Sequence, residues 1–220
     1  MWCIGKITKE YRDRMYALID LYLQEYDELR PVICIDEKSK QLLAETRNPI
    51  PMKPGSPYKY DYEYKRKSTA NLFVAVEPKA GNRIVKVTDR RTKPDYACFV
   101  KEIAEKYYPK AKSIRLVSDN LNTHFTSSFY ETFSKPVAGK LLKRIEFFYT
   151  PKHASWLNMA EIEINVMDRQ CTGGRIESKE KMKKVVSAWV RKRNKEKKKI
   201  RWTFTKQVQI RNCENDMLHN

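Results

Sequence analysis

Two aspartates stand where short apolar runs give way to polar sequence, Ile33-Cys34-Ile35-Asp36 and Leu116-Val117-Ser118-Asp119. Both runs predict central strands. In open α/β sheets the groups at the ends of such strands meet in a crevice, so the two carboxylates are expected to converge. Hard divalent cations need oxygen ligands, and magnesium takes one or two carboxylates together with water and phosphate oxygens. A third acid from a nearby helix would complete a site for two metals ~3.5–4 Å apart, the arrangement that activates one oxygen and stabilises another in phosphodiester chemistry. Glu161 and Glu163 are the candidates for that third acid. At about 100° per residue they point to different sides of a helix, and only one can face the sheet. Its place beside Leu157 and Ile164 favours Glu161 as the inward one, while Ile162 and Val166 make the other side apolar too.

Each of these residues also has an ordinary structural reading. Aspartate after a strand is a common turn residue. Asn158-Met159-Ala160-Glu161 reads as a capping box, with Asn158 accepting from the helix N-terminus and Glu161 reaching back. Near a phosphodiester site, His124 or His153 could donate a hydrogen bond to phosphate or orient a carboxylate. Without a thiolate or carboxylate at ligand spacing, the two make a poor case for zinc. No GxGxxG, GxxxxGK[ST], GxSxG or HExxH pattern occurs, so dinucleotide, nucleotide-triphosphate, serine-hydrolase and zincin readings lack their signatures.

The elements that must carry these residues follow from periodicity and punctuation. Residues 7–26 place Tyr11, Met15, Leu18, Ile19, Tyr22 and Tyr26 at helical spacing, with Thr8 as a cap. Val32 to Ile35 predicts a short strand ending abruptly in the polar Asp36-Glu37-Lys38-Ser39, and the proline-rich residues 47–57 predict an irregular loop. Strands are expected at Ala70 to Val76 and Arg83 to Val87, joined by a hairpin turn, then a helix from Thr92 to Tyr108 and a strand from Ile114 to Val117. A short helix at Thr126 to Phe133, a strand at Ile145 to Tyr149 and a helix at Leu157 to Arg169 complete a mixed α/β order, read as one sheet covered by helices.

Composition narrows the partners. The 220 residues carry 45 Lys+Arg against 27 Asp+Glu, a net charge of +18 that favours polyanions, nucleic acid first. Between Arg175 and Arg201 thirteen residues are basic and three acidic, so this stretch alone supplies +10. It also carries Met182, Val185, Val186, Trp189 and Val190 at helical spacing, which equally describes one amphipathic helix with a solvated face. Apolar runs such as Leu72 to Val76 fall far short of the ~20 residues that cross a bilayer, so no membrane span is expected, and no secretion signal is visible. Cys3, Cys34, Cys98, Cys171 and Cys213 are scattered without a CxxC pair and read as reduced thiols of an intracellular protein.

Three motifs together are specific enough to indicate a family: Pro31-Val32-Ile33-Cys34-Ile35-Asp36-Glu37-Lys38-Ser39, Ser118-Asp119-Asn120-Leu121-Asn122-Thr123-His124, and residues 149–163, YTPKHASWLNMAEIE. With residues 60–64 and 69–73 they resemble the DDE transposases of the insertion-sequence-630 family, within the mariner superfamily, over nearly the whole chain from Trp2 to Phe204. The resemblance implies an RNase H-like mixed sheet flanked by helices. It implies two magnesium or manganese ions, and a catalytic, metal-holding triad carried onto Asp36, Asp119 and Glu161. It selects Glu161 over Glu163 because the family's third acid follows a Leu-Asn-x-x pattern, matched here by Leu157-Asn158-Met159-Ala160. Asn120, His124, His153 and Asn158 become candidates for supporting these carboxylates or touching DNA.

The implied reaction is hydrolysis of DNA at an element's ends, followed by attack of the freed 3′-hydroxyl on target DNA. A homodimer is expected, because two ends must be cut together, acting in the cytoplasm at the nucleoid. The expected organisation is an N-terminal helix and linker (1–30), the catalytic core (31–172) and a basic helical extension (173–220). Family members usually carry a helix-turn-helix reader before the core, and this chain begins about where that region ends. The segment 207–220 does not match the expected basic ending, as a truncated or frameshifted copy would not. Two alternatives stand beside the enzyme: a DNA-binding remnant without catalysis, and a general RNase H-like nuclease acting on RNA.

Overall fold

The computed structural model describes residues 8–204; Trp2, Cys3, Cys213 and the segment 207–220 singled out above lie outside the described residues. Helix α1, Lys9–Leu23, starts where the Thr8 side chain accepts a hydrogen bond from the Tyr11 amide at 3.1 Å. It buries Met15, Leu18, Ile19 and Tyr22, as their spacing predicts, whereas Tyr26 lies beyond its end and is exposed.

The sheet has five strands: β1 (Val32–Glu45), β2 (Tyr64–Glu77), β3 (Asn82–Thr88), β4 (Ile114–Ser118) and β5 (Ile145–Tyr149), in the order β3-β2-β1-β4-β5. β1, β2 and β3 form an antiparallel meander, while β1, β4 and β5 run parallel. Two strands are longer than their apolar runs. β1 does not end at Asp36: Asp36, Glu37, Lys38 and Ser39 stay in the ladder opposite Val74, Phe73, Leu72 and Asn71, and β2 begins at Tyr64 to keep pace. The polar run reads as a loop because backbone pairing with a distant strand leaves no trace in local polarity. The turn from β2 to β3 is the expected hairpin, with Gly81 at φ +71°, a conformation that suits glycine.

Side chains alternate across the sheet. One face buries Ile33, Ile35, Phe73, Ala75, Ile114 and Leu116 under α2 (Lys93–Glu102), the π-helical turn that continues it (Ile103–Tyr107), α3 (Ser127–Thr132) and α4 (Lys135–Leu142). α4 has no counterpart among the expected elements; its Pro136 and Gly139 mask a short helix that buries Ala138 and Leu141. The other face is covered by α1, by α5 (Met159–Met167) with the π-helical turn Asp168–Thr172, and by α6 (Lys179–Lys195). α6 seats Met182, Val186 and Trp189 and leaves Lys183, Lys184, Arg191, Lys192 and Lys195 exposed or half-buried, so the basic stretch is an amphipathic helix whose apolar stripe is core. Among the described residues Cys34, Cys98 and Cys171 are free thiols, and no helix is long and apolar enough to cross a membrane.

Candidate active site

The register of β1 against β4 places the two aspartates. Their parallel pairing ends at Cys34 opposite Val117. Asp36 and Asp119 each lie two residues further on, where the strands part; the alternation turns Asp36 toward the face that carries α5, and Asp119, one residue past β4, is near enough for its charge to act on Asp36. Asp36 therefore sits inside a strand, and what ends beside it is the β1–β4 ladder.

α5 reaches this point through several ties. The Asn158 side chain, fully buried, accepts from the Ala160 amide at 3.1 Å and donates to the Ile35 carbonyl at 2.9 Å, joining the start of the helix to the strand just before Asp36. Tyr22 on α1 donates to the Leu157 carbonyl at 2.8 Å. At the far end Lys38, two residues beyond Asp36, pairs with Asp168, which also accepts from Thr172 at 2.7 Å. Burial works to raise the Asp168 carboxyl, but these two partners hold it below its ordinary range. Asn158 is thus a cap and a strut with no surface for DNA. The capping-box half expected of Glu161 is not formed; its amide simply continues the helix from the Asn158 carbonyl.

The two α5 acids have opposite surroundings. Glu163 is the inward one, with a side chain 1% exposed, against the helical-wheel expectation. It accepts two bonds from Arg83 of β3, at 2.8 and 3.1 Å, and further bonds from Arg193 of α6 at 3.0–3.2 Å. The apolar neighbours give no hint of this, because two cations distant in sequence can neutralise a buried acid. Glu161 is half-buried, enters none of the ion pairs found among the described residues, and lies close enough to Asp36 for its charge to act there.

The Asp36 carboxyl is pushed up to about 7, mainly by burial, with the charges of Asp119, Glu37 and Glu161 adding to the effect against a hydrogen bond from the Glu37 amide. The other two predicted acids thus both act on Asp36. Among the described residues no group of three or more His, Cys, Asp or Glu side chains is already drawn together as a metal cage. The donor set nevertheless fits a hard divalent cation. The backbone amides that reach Asp36 and Asp119 both bond to Oδ1, from Glu37 at 2.7 Å and from Leu121 at 3.2 Å, and among the described residues neither Oδ2 has a hydrogen-bond partner. A cation would also relieve the repulsion that burdens Asp36.

The remaining candidates divide. His124 is buried, its Nδ1 2.6 Å from Asp119 Oδ1 and its Nε2 2.7 Å from Glu37 Oε1. Burial opposes its positive charge, yet the hydrogen bonds to Asp119 and Glu37 outweigh that and raise its pKa to about 10. Asn120 accepts from Arg14 of α1 at 2.9 Å and donates to the Thr150 carbonyl at 2.8 Å, bracing the loop after β4. His153 stands apart, exposed in a left-handed turn at φ 64°. Sequence reasoning misses Glu37 and Arg14. Glu37 carries a usable signal: an acid in the strand facing opposite to Asp36 needs a buried partner of its own.

A mixed five-stranded sheet with helices on both faces, and carboxylates where its central parallel strands part, defines an RNase H-like domain with an acidic site. The same fold is found in the Mos1 mariner paired-end complex with Mn (TM-score 0.57, 15% identity, 90% of this chain and 60% of that one). It recurs in the Mos1 strand transfer complex (TM-score 0.56, 14% identity, 87% and 57%) and in the Mos1 paired-end complex with Mg (TM-score 0.56, 14% identity, 90% and 59%). This chain therefore covers about 60% of the Mos1 chains it matches. The family is given by sequence: residues 31–183 match the DDE superfamily endonucleases, and the chain belongs to that family. Comparison with curated proteins finds no match.

Proposed function

We propose that this chain is the catalytic part of a DDE transposase of the insertion-sequence-630 type, which cuts DNA at the ends of its element and joins the freed 3′-hydroxyl to target DNA. The observation that carries the reading is the Asp36 carboxyl, burdened by burial and by the charges of Asp119, Glu37 and Glu161 at the opening of the β1–β4 ladder, in a chain of the DDE endonuclease family. Asp36, Asp119 and Glu161 would hold magnesium or manganese, two ions in all. Such ions supply activation of the attacking oxygen and neutralisation at the leaving one. Asp36 and Asp119 present their unpartnered Oδ2 atoms from two strands of one rigid sheet, and Glu161 closes the notch from a helix tied to that sheet at both ends. The exposed cations of α6 offer a surface for phosphates, and polyanionic DNA is the matching partner.

The Mos1 structures are complexes of paired ends and of strand transfer, with Mn or Mg in the paired-end forms, which supports the same partners here. On this reading residues 31–172 form the core, with an N-terminal helix and linker before it and a basic extension after it, and the chain works as a homodimer on DNA in the cytoplasm, at the nucleoid. The deciding experiment is cleavage and strand transfer of end-bearing DNA with Mg2+ or Mn2+, comparing wild type with Asp36→Asn, Asp119→Asn and Glu161→Gln. Loss of both steps in every amide variant, with DNA binding retained, is expected. Full activity in Asp119→Asn would exclude the triad. Binding without cleavage by the wild type would favour the non-catalytic remnant, and a preference for RNA–DNA hybrid would favour an RNase.

A further inference from the structure

His124 is sealed from solvent between two carboxylates that come from different strands. Its Nε2 meets Glu37 Oε1 at 2.7 Å and its Nδ1 meets Asp119 Oδ1 at 2.6 Å, with 0% of its own side chain and 3% of Glu37's exposed. Its ring lies 4.5 Å, centroid to centroid, from that of Tyr96, and its carbonyl accepts from the Tyr149 hydroxyl at 3.0 Å, so neither ring nor backbone has room to turn away. A short 3-10 turn, Asn122–His124, closed by the His124 amide on the Leu121 carbonyl at 2.9 Å, folds the loop back so that the ring can reach the acid five residues earlier.

Glu37 follows Asp36 on the same strand but points to the opposite face of the sheet, where α2 and α3 cover it. The imidazole thus ties the backbone of the first proposed metal-holding aspartate to the carboxylate of the second. A carboxylate accepts and cannot donate, so a ring that satisfies both partners donates from both nitrogens. Its Nδ1 lies 2.6 Å from Asp119 Oδ1 and 3.2 Å from the Asp119 carbonyl oxygen, so the ring holds this residue by side chain and backbone together. An isolated aspartate would rotate about its side chain, whereas this one is gripped by the ring and by the Leu121 amide.

We propose that Glu37 and His124 are positioning residues that fix Asp119 relative to Asp36 and so pre-form the metal-holding notch, with Glu37 serving as anchor and never as ligand. The inference rests on the metal site proposed above. Partners that orient ligands in this way typically change metal affinity by about 10- to 100-fold when removed.

The test is Mn2+ binding by the full chain without DNA, read from the electron paramagnetic resonance signal of free Mn2+, alongside circular-dichroism melting. His124→Gln can satisfy only one carboxylate, and its Mn2+ dissociation constant should rise about 10- to 100-fold. Glu37→Gln, whose amide oxygen still accepts from the ring, should show a smaller rise in the same direction. It carries the test if His124→Gln does not fold. The double variant should bind Mn2+ no more weakly than His124→Gln alone, since anchor and strut act as one unit. In nicking assays the Mn2+ concentration for half-maximal rate should rise in both variants while the rate at saturating Mn2+ stays near wild type.

Wild-type Mn2+ affinity in folded His124→Gln and Glu37→Gln would overturn the positioning role and leave the triad standing. Loss of Mn2+ binding in Asp119→Asn together with a lowered saturating rate in His124→Gln would make His124 part of the chemistry itself and overturn it too. A wild-type chain that binds no Mn2+ would overturn the metal reading and this inference with it.

Discussion

Helix α5 carries two glutamates within one turn, and their surroundings could hardly differ more. Glu163 is sunk among Arg83 and Arg193 in a fully bonded knot whose cations come from a strand and a helix on either side of it. Arg83 is also held by the carbonyls of Gly81 and Lys198, which binds the chain after α6 to the β2–β3 turn. Glu161 lies close enough to Asp36 for its charge to act there, and with Asp119 and Glu37 it adds to the burial that makes Asp36 harder to ionise. One region uses its charges to hold the fold together. In the other, neither Asp36 nor Glu161 enters an ion pair among the described residues, and Asp36 carries a burden that a cation would relieve. The contrast teaches that burial by itself does not mark an acid available to a ligand; the more buried one is already satisfied.

The largest effect separating the two regions should be on chemistry. Glu161→Gln or Asp119→Asn is expected to lower metal-dependent cleavage by ~10^3-fold or more, since the lost charge stabilisation is worth several kcal/mol at ~1.4 kcal/mol per decade. Melting of Glu161→Gln should stay at or above wild type, whereas Asp119→Asn also removes a charge facing the buried His124 and should melt somewhat lower while remaining folded. A parallel loss of folding would erase the distinction between notch and knot.

The knot should show the reverse pattern. Glu163→Ala leaves the buried Arg83 without its partner and should destabilise the fold by about 3–5 kcal/mol, measured by urea unfolding. An unchanged midpoint would mean that the bidentate pair contributes nothing net.

A smaller effect sharpens the electrostatics of the notch. Because the folded Asp36 titrates near 7, well above its ordinary value, its contribution is fully present below about pH 4 and is lost as pH rises through 7. Metal-free protein should therefore lose stability between these values, on the order of 1–3 kcal/mol. His124, also raised, adds a loss in the same direction from about 6.5 to 10, so the Asp36 share is read as the difference between wild type and Asp36→Asn. Saturating Mg2+ should abolish that difference by binding the folded state. A wild-type curve that parallels Asp36→Asn without metal would show that the carboxyl is not burdened.

The smallest effect concerns the open cations of α6. Lys184→Ala with Lys192→Ala should weaken DNA binding and reduce the salt slope by about 0.9 for each phosphate that the variant no longer neutralises, whereas Arg193, committed to Glu163, contributes to stability instead. Binding measured across a salt series checks this, and an unchanged slope would place the DNA on another face.

Much of the molecule is legible in the sequence because it depends on short-range pattern. Helical spacing places α1 and α6, apolar runs locate all five strands though only the start of β1 and the second half of β2, and the polar residues Asp36 and Asp119 stand out against those runs. Three features are not legible. The extension of β1 past Asp36 depends on pairing with β2, and α4 depends on a groove that accepts Ala138 and Leu141. The inward turn of Glu163 depends on Arg83, 80 residues earlier in the chain.

Sequence by itself determined the mixed α/β order, the basic surplus and the identity of the acids in strand context, because composition and periodicity act over a few residues. Tertiary structure alone decided which α5 acid is paired with arginines, where the β1–β4 ladder opens, and that His124 joins Glu37 to Asp119. Those are relations between charges and strands far apart in the chain, and they acquire an energy only when folding brings them within hydrogen-bond reach and takes the water away.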